Sequence, residues 1–237
     1  MNTLANQFKL LRPHQWVKNG FIFLPAFFAQ ALNTESAFQL VLGFISFSLL
    51  ASSVYILNDL IDAPSDRLHQ QKKERPIASG KVKPRNAIIL GIVLAIIALT
   101  SAYFIHQQFL FASLFYLGMN VAYTFKLKQL ALIDITIVSL GFLIRLYCGG
   151  VIAEVPISSW MYIMAFLLAM LLALGKRRDD LLILKNEGRE VRQAIRGYNL
   201  AFVNVISVML GAITVVAYIM YTLSPDIIAR VGILTFI

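Results

Sequence analysis

Long apolar runs separated by short polar stretches dominate the pattern of this chain. Seven runs are present, at residues 19–33, 38–58, 86–105, 109–125, 131–151, 159–175 and 199–222. A helix of about 20 apolar residues crosses the ~30 Å hydrocarbon core of a bilayer. The runs are apolar on all sides, which argues against amphipathic helices on a soluble protein. The pattern therefore predicts an all-α, polytopic transmembrane bundle of about seven helices, organised as one domain over residues 1–237.

The two ends of the chain depart from a regular spanning pattern. The first run is short, contains Pro25 and has a basic flank without a small-residue cleavage site. It is interpreted as a first spanning or half-spanning helix and not as a removed signal peptide. Residues 227–237 look like the beginning of a further segment, too short to span.

Basic residues fall in alternate connections, which predicts the orientation. They are Lys9, Arg12 and Lys18 before the first run; Arg67, Lys72, Lys73, Arg75, Lys81, Lys83 and Arg85 before the third; Lys126 and Lys128 before the fifth; and Lys176, Arg177, Arg178, Lys185, Arg189, Arg192 and Arg196 before the seventh. The intervening connections, 34–37, 106–108, 152–158 and 223–226, carry no Lys or Arg. Since cytoplasmic loops are enriched in Lys and Arg, the N-terminus and the basic loops are predicted to be cytoplasmic, in the inner or plasma membrane.

The composition agrees with a membrane protein, at 59% hydrophobic and 14% charged residues. A net charge of +9 on a soluble domain would suggest nucleic acid. Here the membrane topology accounts for most of that charge, so no nucleic-acid partner is expected. The single cysteine, Cys148, excludes an internal disulfide and a cysteine metal cluster.

The candidate chemistry is concentrated where the second run ends, at Asn58, Asp59, Asp62 and Asp66. On a helix, Asp59 and Asp62 lie one turn apart on the same face, where a divalent cation would relieve their repulsion. Mg²⁺ takes one or two carboxylates and completes its shell with water and phosphate oxygens. Pro64 is expected to break the helical phase, which makes Asp66 a less certain ligand. The alternative interpretation is a solvated polar loop that caps a membrane helix.

Basic side chains near these carboxylates are candidates for binding a phosphorylated ligand. They are Lys72, Lys73 and Arg75 in the loop 59–85, Lys176 and Arg177 in the loop 176–198, and Arg12 and Lys18 before the first run. The two loops are predicted to form a polar cap over the active site. For Arg12 and Lys18, just before the first run, membrane topology is the alternative explanation. His69 is a further candidate donor to phosphate.

Two charges fall within the predicted spans. Asp134 is interpreted as a helix N-terminal residue or as a partner of Lys128. Arg145 should face a polar cavity or a partner, because a charge at that depth is costly. It is a candidate for phosphate binding, with a structural contact as the alternative.

These residues resemble a known family. Asn58, Asp59, Asp62 and Asp66 match the first aspartate motif of the UbiA superfamily of intramembrane prenyltransferases, and Lys73-Glu74-Arg75-Pro76-Ile77 resembles its Arg-Pro run. The second aspartate motif departs from the family, since Gly175-Lys176-Arg177-Arg178-Asp179-Asp180 has adjacent aspartates. Three stretches resemble the decaprenyl-phosphate phosphoribosyltransferase branch of the family. They are Gly175–Asp180, Leu11-Arg12-Pro13-His14-Gln15-Trp16-Val17-Lys18-Asn19, and Asp134-Ile135 through Ser139–Arg145.

The resemblance implies a bundle, usually of nine helices, around a central cavity open to the cytoplasmic side. It implies Mg²⁺-dependent transfer of 5-phosphoribose from phosphoribosyl pyrophosphate to a polyprenyl phosphate, with release of pyrophosphate. Metal ligands would be Asp59, Asp62 and Asp66, with Asn58 beside them. The alternative activity is transfer of a prenyl group from a prenyl diphosphate to an aromatic or other small acceptor. A transporter or a structural membrane subunit would leave the carboxylate spacing unexplained, and the oligomeric state stays open.

Overall fold

The structure is a computed structural model that describes residues 3–68, 72–187, 193–224 and 228. The α-helices are α1 (Thr3–Leu11), α2 (Leu24–Phe28), α3 (Thr34–Asp66), α4 (Pro84–Ile105), α5 (Gln107–Phe125), α6 (Ile133–Ile152), α7 (Ser159–Glu187) and α8 (Leu200–Thr222). Short 3₁₀ helices cover Pro13–Phe23, Lys72–Glu74, Leu127–Gln129 and Gln193–Gly197. No strand occurs in the described ranges, and the all-helical prediction is confirmed.

Within the described residues, five helices are long and apolar enough to cross a membrane: α3, α4, α6, α7 and α8. The chain is therefore an integral membrane protein. α5 has 19 residues and covers the predicted run 109–125, but it carries two glutamines at its start and Asn120. These amides make it less apolar than the five candidate spans.

The first run is not a single spanning helix, and the half-spanning alternative stays a prediction. Residues 19–33 do not form one helix; they contain the end of the 3₁₀ helix Pro13–Phe23 and the five-residue helix α2. Pro13 stands at the start of the 3₁₀ helix and Pro25 in the first turn of α2, positions that tolerate proline because no helical N–H is needed there. Ile22, Pro25 and Ala26 of this run are buried, whereas Phe27, Phe28 and Leu32 are exposed.

The two predicted polar loops also begin later than expected. α3 continues to Asp66, and α7 continues to Glu187, so the first part of each loop is helical. Residues 227–237, apart from Ile228, lie outside the described residues, and so does the predicted further segment.

Side chains cap several helices. Asn33 accepts a hydrogen bond from the Ser36 backbone N–H at 2.9 Å, and the Asn33 N–H donates to Ser36 Oγ at 3.0 Å. This reciprocal capping box begins α3. His106 Nδ1 and Asn199 Oδ1 accept backbone N–H groups at the starts of α5 and α8. These residues satisfy donors that a helix start leaves without partners.

The described residues form two compact units. The first comprises Met1–Lys126 and Ile144–Pro156, and the second comprises Leu127–Leu143 and Ile157–Ile237. The core of the first unit includes buried side chains from the 3₁₀ helix, α3, α5 and α6, such as Ile22, Phe47, Tyr116 and Cys148. The core of the second includes Ile135, Leu174 and Val203 from α6, α7 and α8.

The 3₁₀ helix Pro13–Phe23 is fixed against α3 and the end of α6 in the first unit. Trp16 Nε1 donates to Ser52 Oγ at 3.0 Å, and Asn19 Nδ2 donates to Ser48 Oγ at 2.8 Å. A Cβ built at Gly149 would overlap the carbonyl oxygen of Ile22 and lie 2.7 Å from its carbonyl carbon. Only glycine at this position allows the two backbones to approach so closely.

Gly149→Ala should therefore destabilise the first unit by about 3 kcal/mol, because the obstructing atoms are backbone atoms that cannot rotate away. Cys148, the only cysteine of the chain, is fully buried and reports the change through its reactivity with a fluorogenic thiol dye during heating. Gly118→Ala is the matched control, since a Cβ there meets nothing within 4 Å. Equal labelling temperatures for the two variants would contradict the packing argument.

Candidate active site

The last two turns of α3 carry the acidic side chains. Asp59 and Asp66 lie seven residues apart, two helical turns, so they share one face of the helix. Both are buried, with 2% and 3% exposure. The prediction that Pro64 breaks the helical phase before Asp66 was wrong, because Pro64 lies inside the last turn of α3. The Arg67 N–H still donates to the Ala63 carbonyl at 3.2 Å, which closes that turn.

One guanidinium nitrogen joins the two carboxylates. Arg75 Nη1 donates to Asp66 Oδ2 at 2.7 Å and to Asp59 Oδ1 at 3.1 Å. Charge-assisted hydrogen bonds of this kind are stronger than neutral ones, most of all around a buried acceptor. The two carboxylates therefore converge on one cationic group.

Arg12 provides a second cation to the same carboxylate. Its Nη2 donates to Asp59 Oδ1 and forms an ion pair with it. The guanidinium carbon of Arg12 also lies 5.3 Å from the ring centroid of Tyr55, one turn before Asp59 on α3. The Arg12 backbone is left-handed, with φ 50° and ψ 58°, immediately before Pro13. That conformation costs about 1 kcal/mol or more for a non-glycine residue, so the surrounding contacts must hold it.

A tightly folded segment anchors Arg75. Pro76, Ile77 and Val82 are buried, and the Val82 N–H donates to the Pro76 carbonyl at 2.9 Å. Ile77 and Val82 belong to an apolar cluster with Ile56 of α3 and other residues of α3 and α4. Gly80 supplies the positive φ of 74° that the turn requires. Burial of the following residues therefore fixes the backbone from which Arg75 extends.

Asn58 and Asp62 occupy different surroundings. Asn58 Oδ1 accepts a hydrogen bond from Thr124 Oγ1 at 2.7 Å, and Thr124 is fully buried in α5. Asp62 is partly exposed on α3, between the two buried aspartates along the chain. The structure thus brings Asp59 and Asp66 together on Arg75 and holds Asn58 through α5.

The acidic residues fit a divalent cation in one respect. They offer only hard oxygen ligands, and a single cationic nitrogen already bridges Asp59 and Asp66. Among the described residues, no group of three or more Asp, Glu, His or Cys side chains is arranged to hold a metal ion. Mg²⁺ usually takes one or two protein carboxylates and obtains its other ligands from water and substrate phosphates. The residues therefore fit a cation that arrives with phosphate oxygens.

The other predicted phosphate ligands of the first unit are at least partly exposed. Lys18 and Lys73 are exposed, and Lys72 is partly buried in the same short 3₁₀ helix as Lys73. Their predicted roles stay predictions. His69 lies outside the described residues.

Arg145 lies in the core of the first unit, with 5% exposure. Its Nε donates to Asn19 Oδ1 at 2.7 Å and its Nη2 donates to the Tyr116 hydroxyl at 3.2 Å. The guanidinium carbon also lies 5.1 Å from the ring centroid of Phe47 and 5.2 Å from that of Tyr116. The partners of this buried charge thus include neutral polar and aromatic side chains. The phosphate-binding role predicted for Arg145 stays a prediction.

The second unit contains a separate buried ion-pair network. Arg177 Nε donates to Asp134 Oδ2 at 2.6 Å, and Arg177 Nη1 donates to Asp180 Oδ2 at 3.2 Å. The Tyr198 hydroxyl donates to Asp134 Oδ1 at 2.6 Å and accepts the Leu132 N–H at 2.7 Å. Burial, together with the bond to Asp134, raises the pKa of Tyr198, so its hydroxyl stays protonated and donating. Asp134 thus lies inside the first turn of α6 and not at its N-cap, and it binds Arg177 and Tyr198.

Adjacent residues of the second charged stretch, 176–180, differ in burial. Arg177 is 3% exposed and Asp180 is 6% exposed, whereas Lys176 and Asp179 are exposed. Of the two adjacent aspartates, only Asp179 therefore faces away from the protein interior. The predicted phosphate contacts of Lys176 and Arg177 stay predictions, and their difference in burial allows them to be tested separately.

Sequence reasoning missed Thr124, Tyr116 and Asn19 as partners of the polar groups. Each lies far along the chain from the residue it contacts, and although Asn19 ends the stretch Leu11–Asn19, that resemblance did not indicate its partner. The only available signal was general: a polar side chain inside an apolar run must find a hydrogen-bonding partner when it is buried.

The fold defines a class: integral membrane proteins built from apolar helices. Comparison with known families is specific. The model of the UbiA prenyltransferase family matches residues 20–182, and the chain belongs to this family. It is therefore a membrane-embedded transferase, which excludes the transporter and the structural subunit.

Individual relatives agree with this assignment. The chain is 32% identical over 230 residues to the decaprenyl-phosphate phosphoribosyltransferase of Mycolicibacterium smegmatis, covering 95% of this chain and 72% of that protein. It is 30% identical to the enzyme of the same name from Mycobacterium tuberculosis, covering 95% of this chain and 76% of the relative. A UbiA homologue from Archaeoglobus fulgidus bound to GPP and Mg²⁺ has the same fold, with a TM-score of 0.77 at 23% identity over 96% of this chain and 83% of that chain.

Proposed function

We propose that this protein transfers 5-phosphoribose from phosphoribosyl pyrophosphate to a polyprenyl phosphate and releases pyrophosphate. The observation that carries the proposal is the 32% identity to a decaprenyl-phosphate phosphoribosyltransferase over 95% of the chain. The number of basic residues supports the proposal, since the donor has a pyrophosphate and a separate 5-phosphate and the acceptor adds another phosphate group. The basic residues that precede and follow the acidic motif could bind these phosphate groups.

Mg²⁺ is the proposed cofactor, which one or two of the carboxylates of Asp59, Asp62 and Asp66 would hold together with oxygens of the donor diphosphate. When bound, it would neutralise the charge that develops on the leaving pyrophosphate. Asn58 would lie beside the metal in the orientation that its bond to Thr124 fixes. The homologue from Archaeoglobus fulgidus, bound to GPP and Mg²⁺, supports divalent metal use in this fold.

The reaction breaks the bond between C1 of the ribose and the pyrophosphate oxygen, and the bonding electrons leave with pyrophosphate. An oxygen of the lipid phosphate forms the new bond to C1. That phosphate is ionised at neutral pH, so the reaction requires no strong general base. What the protein must supply is positive charge at the leaving group and exclusion of competing water.

The cationic side chains divide into two proposed groups. Lys72, Lys73 and Arg75 would bind the phosphates of the donor, and Lys176 is a further proposed phosphate ligand. Lys18 precedes the first apolar run and would meet the acceptor phosphate at the membrane interface. Arg12, which the sequence assigned to that same phosphate, contacts Asp59 and would instead bind the donor diphosphate. We also propose that the N-terminus and both charged loops lie in the cytoplasm, as the alternation of basic connections indicates.

One assay distinguishes the two candidate donors. The purified chain is reconstituted in liposomes with Mg²⁺ and offered polyprenyl phosphate with phosphoribosyl pyrophosphate labelled in the ribose. A parallel sample receives labelled prenyl diphosphate and an aromatic acid. We expect label to enter the lipid fraction only in the first sample and to require Mg²⁺. Product formed only in the second sample would overturn the proposal in favour of prenyl transfer.

A further inference from the structure

The buried carboxylates of α3 are already neutralised by the protein's own arginines. Asp59 receives Arg12 and Arg75, and Asp66 receives Arg75. These two carboxylates therefore face two guanidinium groups and carry no net excess of negative charge. A free divalent cation would find no unbalanced charge at this pair of side chains.

The two kinds of group differ in their access to solvent. The side chains of Asp59 and Asp66 are 2% and 4% exposed, whereas those of Arg12 and Arg75 are 21% and 27% exposed. The guanidinium groups are thus the solvent-exposed members of these ion pairs. A cation that approaches along them would have to displace one of them before it contacts Asp59 or Asp66.

Displacement by a cation alone is unfavourable. It would separate a buried charge-assisted pair and bring a doubly charged ion close to a guanidinium that has lost its acceptor. A diphosphate changes this balance because it offers acceptor oxygens in the geometry that arginine binds best. The guanidinium groups then exchange carboxylate oxygens for phosphate oxygens while the cation takes the carboxylates.

The backbones of both arginines are held in place for such an exchange. The backbone of Arg12 is held by the 3₁₀ helix that follows it, which Trp16 and Asn19 bond to α3, and that of Arg75 by the buried residues Pro76 and Ile77. Only the flexible ends of the side chains need to move. Neither arginine has to leave the vicinity of the acidic residues.

We infer that Arg12 and Arg75 close the acidic site to free divalent cations, so that a cation binds Asp59 and Asp66 only together with a diphosphate that takes over the arginines. This inference rests on the divalent cation and diphosphate of the proposed function but not on the sugar. Either candidate donor would satisfy it, because both carry a diphosphate.

Binding of Mn²⁺, measured by electron paramagnetic resonance, tests the inference without turnover. The detergent-purified full chain should bind Mn²⁺ weakly alone and at least about tenfold more tightly with inorganic pyrophosphate, after correction for Mn²⁺–pyrophosphate in solution. Arg75→Gln should bind Mn²⁺ alone about tenfold more tightly than the wild type and bind labelled pyrophosphate more weakly. Opposite changes for the two ligands are not expected from a purely structural role.

Three further variants complete the design. Arg75→Lys keeps the positive charge and should exclude free Mn²⁺ as the wild type does. Arg12→Gln repeats the test at the other arginine if Arg75→Gln fails to fold. Arg85→Gln removes an exposed charge in the first turn of α4 and should change neither affinity.

Two outcomes would overturn the inference. In the first, Arg75→Gln and Arg12→Gln both fold and bind free Mn²⁺ no more tightly than the wild type, which would show that the arginines do not exclude the cation. Alternatively, the wild type binds Mn²⁺ equally well with and without pyrophosphate. Either result leaves the transfer reaction standing, because label transfer from phosphoribosyl pyrophosphate is measured separately.

Discussion

Replacing Asp59 by asparagine should lower the rate of label transfer by at least about a hundredfold. Asp59 is 2% exposed and accepts hydrogen bonds from both Arg12 and Arg75. The variant keeps the shape of the side chain but removes the charge that would balance a bound cation. Of the two carboxylates that pair with Arg12 and Arg75, only Asp66 then remains, and the excess positive charge disfavours metal binding further. Initial rates at saturating donor and Mg²⁺ measure the effect.

The same substitution at Asp62 and at Asp66 should also abolish turnover if all three carboxylates serve the metal. Glu35→Gln is the matched control, because Glu35 is exposed in the first turn of α3, about 36 Å along the helix from Asp59. Dye labelling of buried Cys148 verifies that each variant remains folded. Asp59→Asn and Asp62→Asn variants with full activity would refute the metal assignment.

The acidic motif was predictable from the sequence because its members lie on one helix. Helical spacing alone brings residues three, four and seven apart to one face. The prediction that the helix breaks before Asp66 was wrong because it assumed that Pro64 ends the helix. Proline removes one backbone donor but keeps a helical φ, and near the end of a helix that loss is small enough for the last turn to persist.

Pairing of the arginines with Asp59 was not predictable. Arg12 precedes Asp59 by 47 residues and reaches it through a left-handed residue and a 3₁₀ helix. No periodicity in the sequence specifies either feature. The sequence indicated that basic residues would gather near the acidic ones, while the choice of partner depends on the tertiary packing of Ile77 and Val82 against α3 and α4.

The membrane-spanning helices were predicted more successfully than the connections. Apolar runs mark the interior of α3, α4, α6, α7 and α8, because lipid requires apolar side chains and internally satisfied backbone groups. Helix ends outside the membrane obey other rules. α7 continues through Lys176 and Arg177 to Glu187 because buried partners, Asp134 among them, stabilise charged residues that hydropathy alone would assign to a loop.

Arg177→Met should destabilise the second unit by about 3 kcal/mol, since it leaves the carboxylates of Asp134 and Asp180 buried without their cation. Arg178→Met is the matched control one residue away. Arg178 is exposed and donates to Asn204 Oδ1 at 2.9 Å, so its loss should cost less than about 1 kcal/mol. The midpoint of heat-induced loss of monodisperse protein in detergent compares the two variants.

Lys176→Ala tests the exposed residue that precedes buried Arg177 on α7. Lys176 is exposed, so the variant should keep the wild-type midpoint and raise the KM for the donor about tenfold, the loss of one phosphate contact worth about 1.4 kcal/mol. A reversed pattern would be decisive. If Arg177→Met keeps its midpoint and raises the donor KM while Lys176→Ala changes neither, then Arg177 binds the donor and the buried network is dispensable for folding.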